Sequence, residues 1–240
     1  MSYDSNNRWS ASANSAFPQV GIDVGLRNYM LRVYNYMAGG LALTGLVAYF
    51  AATTGLYAQI AQTPLIWVVV FAPLALVLLF SFRIQKMSLG AVQATFWGFA
   101  GLMGLSLSYI FLIYTGASIA QVFFITAATF LAMSLYGYTT KRDLSKFGSF
   151  LMMGLIGIII ASLVNLFFHS AAMQFAISVI GVLVFTGLTA WDTQRIKEMY
   201  WEGDGSIVAG KKAIMGALSL YLDFINLFIM LMQLMGTRRD

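Results

Sequence analysis

Asp223 lies inside the apolar segment Ala217-Leu-Ser-Leu-Tyr-Leu-Asp-Phe-Ile-Asn-Leu-Phe-Ile229, and Asp192 closes another in Gly187-Leu-Thr-Ala-Trp-Asp-Thr-Gln-Arg-Ile-Lys197. A carboxylate at the centre of a membrane helix costs about 2.5–3.5 kcal/mol on insertion scales, so it must face the bundle or a water-filled cavity. Gly216, Ser219, Asp223, Asn226, Met230 and Gln233 recur at steps of three and four, which puts them on one stripe of a helix. Ser178, Gly181, Thr189 and Asp192 trace a weaker stripe on the preceding helix, interrupted by Phe185. If the two aspartates meet in a low dielectric, they cannot readily both ionise. They would share a proton, titrate as one coupled pair and act as a pH-dependent switch. Fully ionised, they offer hard oxygen ligands to a cation such as Ca²⁺. Two carboxylates make a weak site, which suits an ion that must leave as well as enter. The plainer alternatives are an Asp192 paired with Arg195 on the next turn and an Asp223 in a purely structural interhelical hydrogen bond.

Other chemistry is poorly provided for. The 240 residues include no Cys and one histidine, His169, so thiolate sites, cysteine nucleophiles and multi-histidine metal sites are excluded. Two membrane aspartates could serve an intramembrane protease. Such proteases resemble one another in a Gly-x-Gly-Asp motif, whereas the residues before Asp223 are Leu220-Tyr221-Leu222. Glu202-Gly-Asp-Gly-Ser206 falls in a polar loop and does not supply that motif. No Ser/His pair in adjacent spans suggests a serine protease, and no Gly-rich loop suggests nucleotide binding. The expectation is a protein that is not an enzyme and needs no cofactor.

The elements that position the aspartates follow from composition. The chain is 60% hydrophobic and 10% charged, with a mean hydropathy of +0.79. Soluble domains carry about 25% charged residues, so this chain cannot cover a globule with a water-facing surface. The basic excess, 14 Lys and Arg against 9 Asp and Glu, reads as membrane topology and not as nucleic-acid binding. Seven runs approach the ~20 apolar residues that a bilayer requires: Val33–Ala52, Leu65–Phe82, Val92–Tyr114, Ile119–Tyr138, Ser149–Phe168, Met173–Trp191 and Ala213–Gly236. They predict an all-α, polytopic integral membrane protein: a single seven-helix domain over 29–240, preceded by a polar, disordered arm over 1–28. The arm lacks the apolar core of a cleavable signal. Short connections leave no room for a separate soluble domain. Gly98, Gly101 and Gly104 suggest close helix packing.

Twelve basic residues (Arg8, Arg27, Arg32, Arg83, Lys86, Lys141, Arg142, Lys146, Arg195, Lys197, Lys211 and Lys212) fall on the side of the N-terminus. The alternate loops contain none. This predicts a cytoplasmic N-terminus, in a bacterial inner membrane, with an organellar membrane second. Arg238 and Arg239 then lie outside if the seventh run crosses, which its 24 residues favour, or return to the cytoplasm if it is re-entrant. Trp67, Trp191, Tyr200 and Trp201 suit interface anchoring. One difficulty concerns depth. Asp223 lies about ten residues, or ~15 Å, into its run, whereas Asp192 sits near the loop. Pairing requires the sixth helix to continue past Trp191 or the seventh to begin lower.

The segment Ala217–Ile229, the stretch from Ser178-Val-Ile-Gly to Trp191-Asp-Thr-Gln-Arg-Ile-Lys197, and Thr140-Lys-Arg-Asp-Leu-Ser145 occur in an order that resembles the Bax inhibitor family. The resemblance extends over most of the chain beyond the arm. It implies a seven-helix bundle with the seventh helix central and a pH-sensitive Ca²⁺ leak. Asp192 and Asp223 match the family's aspartate pair, read as pH sensor, ion path and weak metal site, with Ser219, Asn226 and Thr189 as the supporting polar stripe. The family also has a basic latch at the end of its second helix, for which Arg83 and Lys86 both qualify. Some relatives carry an acidic residue inside that helix; Leu65–Phe82 has none. The partners implied are the lipid bilayer, Ca²⁺ and protons. Some bacterial relatives associate with a membrane protease and eukaryotic ones suppress cell death. An alternative function is therefore an interaction protein that regulates a protease or survival factor, with little flux of its own.

Overall fold

The computed structural model describes residues 23–239, and every regular element among them is helical. Eight helices follow in order: α1 (Val24–Thr53), α2 (Leu56–Ala61), α3 (Leu65–Arg83), α4 (Leu89–Ile113), α5 (Gly116–Thr139), α6 (Ser145–Phe168), α7 (Ala171–Glu198) and α8 (Ser206–Met235). Seven are long and apolar enough to cross a membrane. The eighth, α2, is a six-residue turn of helix between the first two spans.

Short polar residues set several of the starts. The Asp23 carboxylate accepts from the Leu26 amide at 2.9 Å. Ser88, Thr115 and Ser170 cap α4, α5 and α7 in the same way, each satisfying an amide that the helix leaves without a partner. Gly55, with φ 73°, turns the chain from α1 into α2, a left-handed conformation that costs glycine little.

α8 is the axis. Two thirds of its most apolar stretch is buried (67%), against 11% to 39% for the other six spans. It packs on α7, α1, α5 and α4. α1 and α4 form the most extensive helix pair, followed by α7 and α8; α5 and α6 flank α7, and α3 lies on α4. α6 turns Phe150, Ile156, Leu163 and Phe167 outward. In a bilayer, such a face meets lipid.

The structure corrects several boundaries. α1 begins at Val24, so residues 24–28 are helical and not part of a disordered arm; residues 1–22 lie outside the described residues. α7 runs to Glu198, well past Trp191, and α8 starts at Ser206, well before Ala213. Only Gly104 in the α4 glycine stripe has a close neighbour. A Cβ there would come 2.6 Å from the Thr44 carbonyl oxygen, while Gly98 and Gly101 face open space.

α8 is one unbroken helix of 30 residues, or ~45 Å, long and apolar enough to cross a membrane, with no break of the kind a re-entrant segment needs. Its C-terminal tail sits on the α4–α5 turn. There the Thr115 amide donates to the Thr237 carbonyl at 3.0 Å and the Arg239 amide to that of Ile113 at 2.8 Å. The opposite end of the bundle gathers the basic loops, where Lys211 Nζ donates to the Gln85 carbonyl and Lys197 Nζ to that of Tyr138.

Candidate functional site

α7 and α8 run antiparallel, and their contacts fix the register. Lys212 Nζ donates to the Met199 carbonyl at 3.0 Å near the basic end. Gly216 packs against Ile196, Gly181 packs against Met230, and Ser178 Oγ donates to Gln233 Oε1 at 2.8 Å near the other end. With Met199 level with Lys212, the first turn of α8 overhangs the end of α7. That extension of both helices removes the difference in depth that separated the two aspartates on a sequence ruler.

Asp192 and Asp223 face each other across this interface, their carboxyl groups within hydrogen-bonding reach. Both are buried, at 7% and 5% exposure. Asp223 Oδ2 has no conventional donor in the structure. Asp192 also meets Arg195, whose Nη2 lies 2.6 Å from Oδ1, though the N–H is not aligned for a hydrogen bond. The guanidinium stacks over the Trp191 ring at 4.7 Å and donates to Ser219 Oγ at 3.4 Å. It is partly exposed, with 44% of its side chain open. Arg195 thus ties α7 to α8 on the basic-end side of the carboxyls. The pair between Asp192 and Arg195 and the approach of Asp223 coexist.

The supporting stripe divides. Ser219 joins the site through Arg195. Asn226 donates to the Leu222 carbonyl and Thr189 to that of Phe185, so both turn back to their own helices. Farther along, Gln233 accepts from Gln174 and Ser178, and Gln174 accepts from Asn165 on α6, which makes an uncharged polar cluster at the end opposite the basic loops.

The latch expected at Arg83 or Lys86 is not formed. Neither makes an ion pair among the described residues, because α3 packs chiefly on α4 and the cation beside Asp192 is Arg195. No group of three or more His, Asp or Glu side chains among the described residues is arranged to hold a metal ion. Two carboxylates and a hydroxyl fall short of the six to eight oxygens of a tight Ca²⁺ site.

Two structural supports carried no signal in the sequence. Tyr221, fully buried, shares a 2.7 Å hydrogen bond with Thr44, which donates to the Ala100 carbonyl at 2.8 Å. Phe96 and Phe99 meet the Tyr221 ring edge-to-face. Tyr221 therefore locks α8 to α1 and α4, while Asp223, two residues on, addresses α7. Gln194 bridges from α7 to the α5–α6 loop, accepting from the Leu144 amide and donating to the Arg142 carbonyl, both at 2.8 Å.

A family model described as "Inhibitor of apoptosis-promoting Bax1" matches residues 26–240. Inner membrane protein YbhL of Escherichia coli is 50% identical over 219 residues, covering 90% of this chain and 94% of that protein. An uncharacterized protein, RP147, of Rickettsia prowazekii is 54% identical over 219 residues, 91% of this chain and 93% of its own. An uncharacterized protein of Caulobacter vibrioides is 44% identical over 250 residues, covering 99% of both.

Proposed function

This chain belongs to the Bax inhibitor family, and from that premise we propose that it is a pH-sensitive cation leak, passing Ca²⁺, whose state is set by protonation of Asp192 and Asp223. The observation that carries this reading is a pair of buried carboxyl groups in mutual contact, on two adjacent helices of a bundle whose other buried side chains are uncharged. With one proton between them the carboxyls stay in contact and the α7–α8 interface stays closed on itself. With both ionised they repel, and the gap must take up water or a cation. The proton count therefore sets how far the two helices stand apart. Ca²⁺ is the cargo, met by few enough oxygens to be released. No catalytic step and no resident cofactor enter the mechanism. We assign the N-terminus and the basic loops to the cytoplasm, on the distribution of Lys and Arg.

The test is Ca²⁺ flux into proteoliposomes across a pH series, for the wild type and Asp223→Asn. The amide can neither carry the charge nor share the proton, so flux through the variant loses its pH dependence. An unchanged pH profile would refute the switch.

The α6 face supports a second role, as partner to another membrane protein. Only 11% of its most apolar stretch is buried within the chain, so a helix of a membrane protease or stress factor has a surface to dock on. Co-purification of a partner that survives Asp223→Asn, together with no flux through the pure protein, would favour it.

A further inference from the structure

Behind α8, on the side away from α7, the helices α1, α4, α5 and α8 leave a cavity of about 340 Å³. Its chemistry is uniform. Of its fifteen lining residues only Thr44 has a polar side chain, and that hydroxyl is already committed to Tyr221 and the Ala100 carbonyl. Five are phenylalanines, among them Phe123 and Phe124 on α5 and Phe224 and Phe228 on α8.

The cavity opens sideways. Phe124 and Phe123 at its rim are 70% and 42% exposed, continuous with the outward face of α5, whereas Phe224 and Phe228 at its back are 4% and 9% exposed. Small residues frame the entrance. Nothing lies within 4 Å of a Cβ built on Gly45 or Gly116, and Ala120 stands one turn beyond Gly116 on α5.

We propose that this cavity is a binding site for one acyl chain of a bilayer lipid, held against the back of α8. The cavity is continuous with the surface that meets lipid. It offers no free donor or charge to a head group or an ion, and an apolar lining gives water no partners. A helix, 10–12 Å across with its side chains, is too wide for it. A single methylene chain fits and gains by van der Waals contact, the term that governs packing inside a membrane. The chain reaches Phe224 and Ile225, which follow Asp223 directly, so its occupancy braces α8 from behind against movement away from α7. This last step rests on the proposed switch; the binding site itself does not.

The probe is a phosphatidylcholine bearing a mid-chain diazirine, reconstituted with the full chain, photolysed and mapped by peptide mass spectrometry. Labelling of the α8 segment Phe224–Phe228 is expected despite its burial, because the cavity is its route to lipid. Ala120→Phe fills the entrance and abolishes that labelling, while labelling of the outward face of α6 persists. Gly45→Leu obstructs from the α1 side and gives the same loss, provided each variant elutes as the wild type does. No α8 labelling in the wild type, or labelling that survives both variants, overturns the site. Flux measured on the same liposomes separates the two claims. A wild type without flux removes the switch and leaves the labelling result standing. A fluxing wild type whose pH profile Ala120→Phe leaves unchanged overturns the bracing role.

Discussion

Arg195 shows how one side chain can serve two neighbours at the site. It neutralises Asp192, reaches Ser219 on the facing helix and is held flat by Trp191. The carboxylates were legible in the sequence because charge is so scarce in the spans; a single acidic residue inside an apolar run is conspicuous. Arg195 was legible as a neighbour one turn from Asp192. Its reach to Ser219 was not, since that depends on the register of α7 against α8. Tyr221 was invisible, because an aromatic residue in an apolar helix is indistinguishable from its lipid-facing counterparts until its partner is known. The Thr44–Tyr221 bond yields an asymmetric prediction. Tyr221→Phe leaves Thr44 bonded to the Ala100 carbonyl and costs about 0.5–1.5 kcal/mol. Thr44→Val strands a buried phenolic hydroxyl and costs about 1–3 kcal/mol. Thermal unfolding in detergent should rank Thr44→Val below Tyr221→Phe; the reverse order would sink this account of the contact.

At the scale of elements, hydropathy located all seven spans but misjudged their ends. The last turns of α7 and the first of α8 hold Arg195, Lys197, Glu198, Lys211 and Lys212, which lower local hydropathy while leaving helix propensity intact. The aspartates meet because these polar turns are helical. α2 escaped notice for a different reason: six residues without a side-chain cap are too few to establish a period. The glycines show the same limit, since composition marks a small-residue stripe but not which members touch a neighbour. Gly104→Ala drives a methyl group toward the Thr44 carbonyl, and Gly137→Ala drives one into the Ala190 carbonyl. Backbone cannot swing aside, so each should cost about 1–3 kcal/mol in overpacking. Gly98→Ala and Gly101→Ala meet nothing and gain about 0.5–1 kcal/mol in helix propensity. Unfolding midpoints that fail to separate the two sets would contradict the packing of α4 on α1 and of α5 on α7.

For the whole molecule, the absence of cysteine makes topology directly measurable. Single cysteines at Lys141, Glu202 and Arg238 should react with a membrane-impermeant maleimide in an ordered way. Lys141→Cys and Glu202→Cys label from one face, and Arg238→Cys from the other. Labelling of all three from one face would contradict α8 as a full crossing. The bundle's arrangement around α8 was reachable from family resemblance but not from hydropathy, because a run of Leu, Phe and Ile looks alike at the centre and at the rim. Synthesis runs from the N-terminus, so the most buried of the seven spans is made after the other six. Four of those six, α1, α4, α5 and α7, are therefore made before the helix they pack on. A chain cut short before Ser206 would leave the buried faces of α1, α4, α5 and α7 without their common partner.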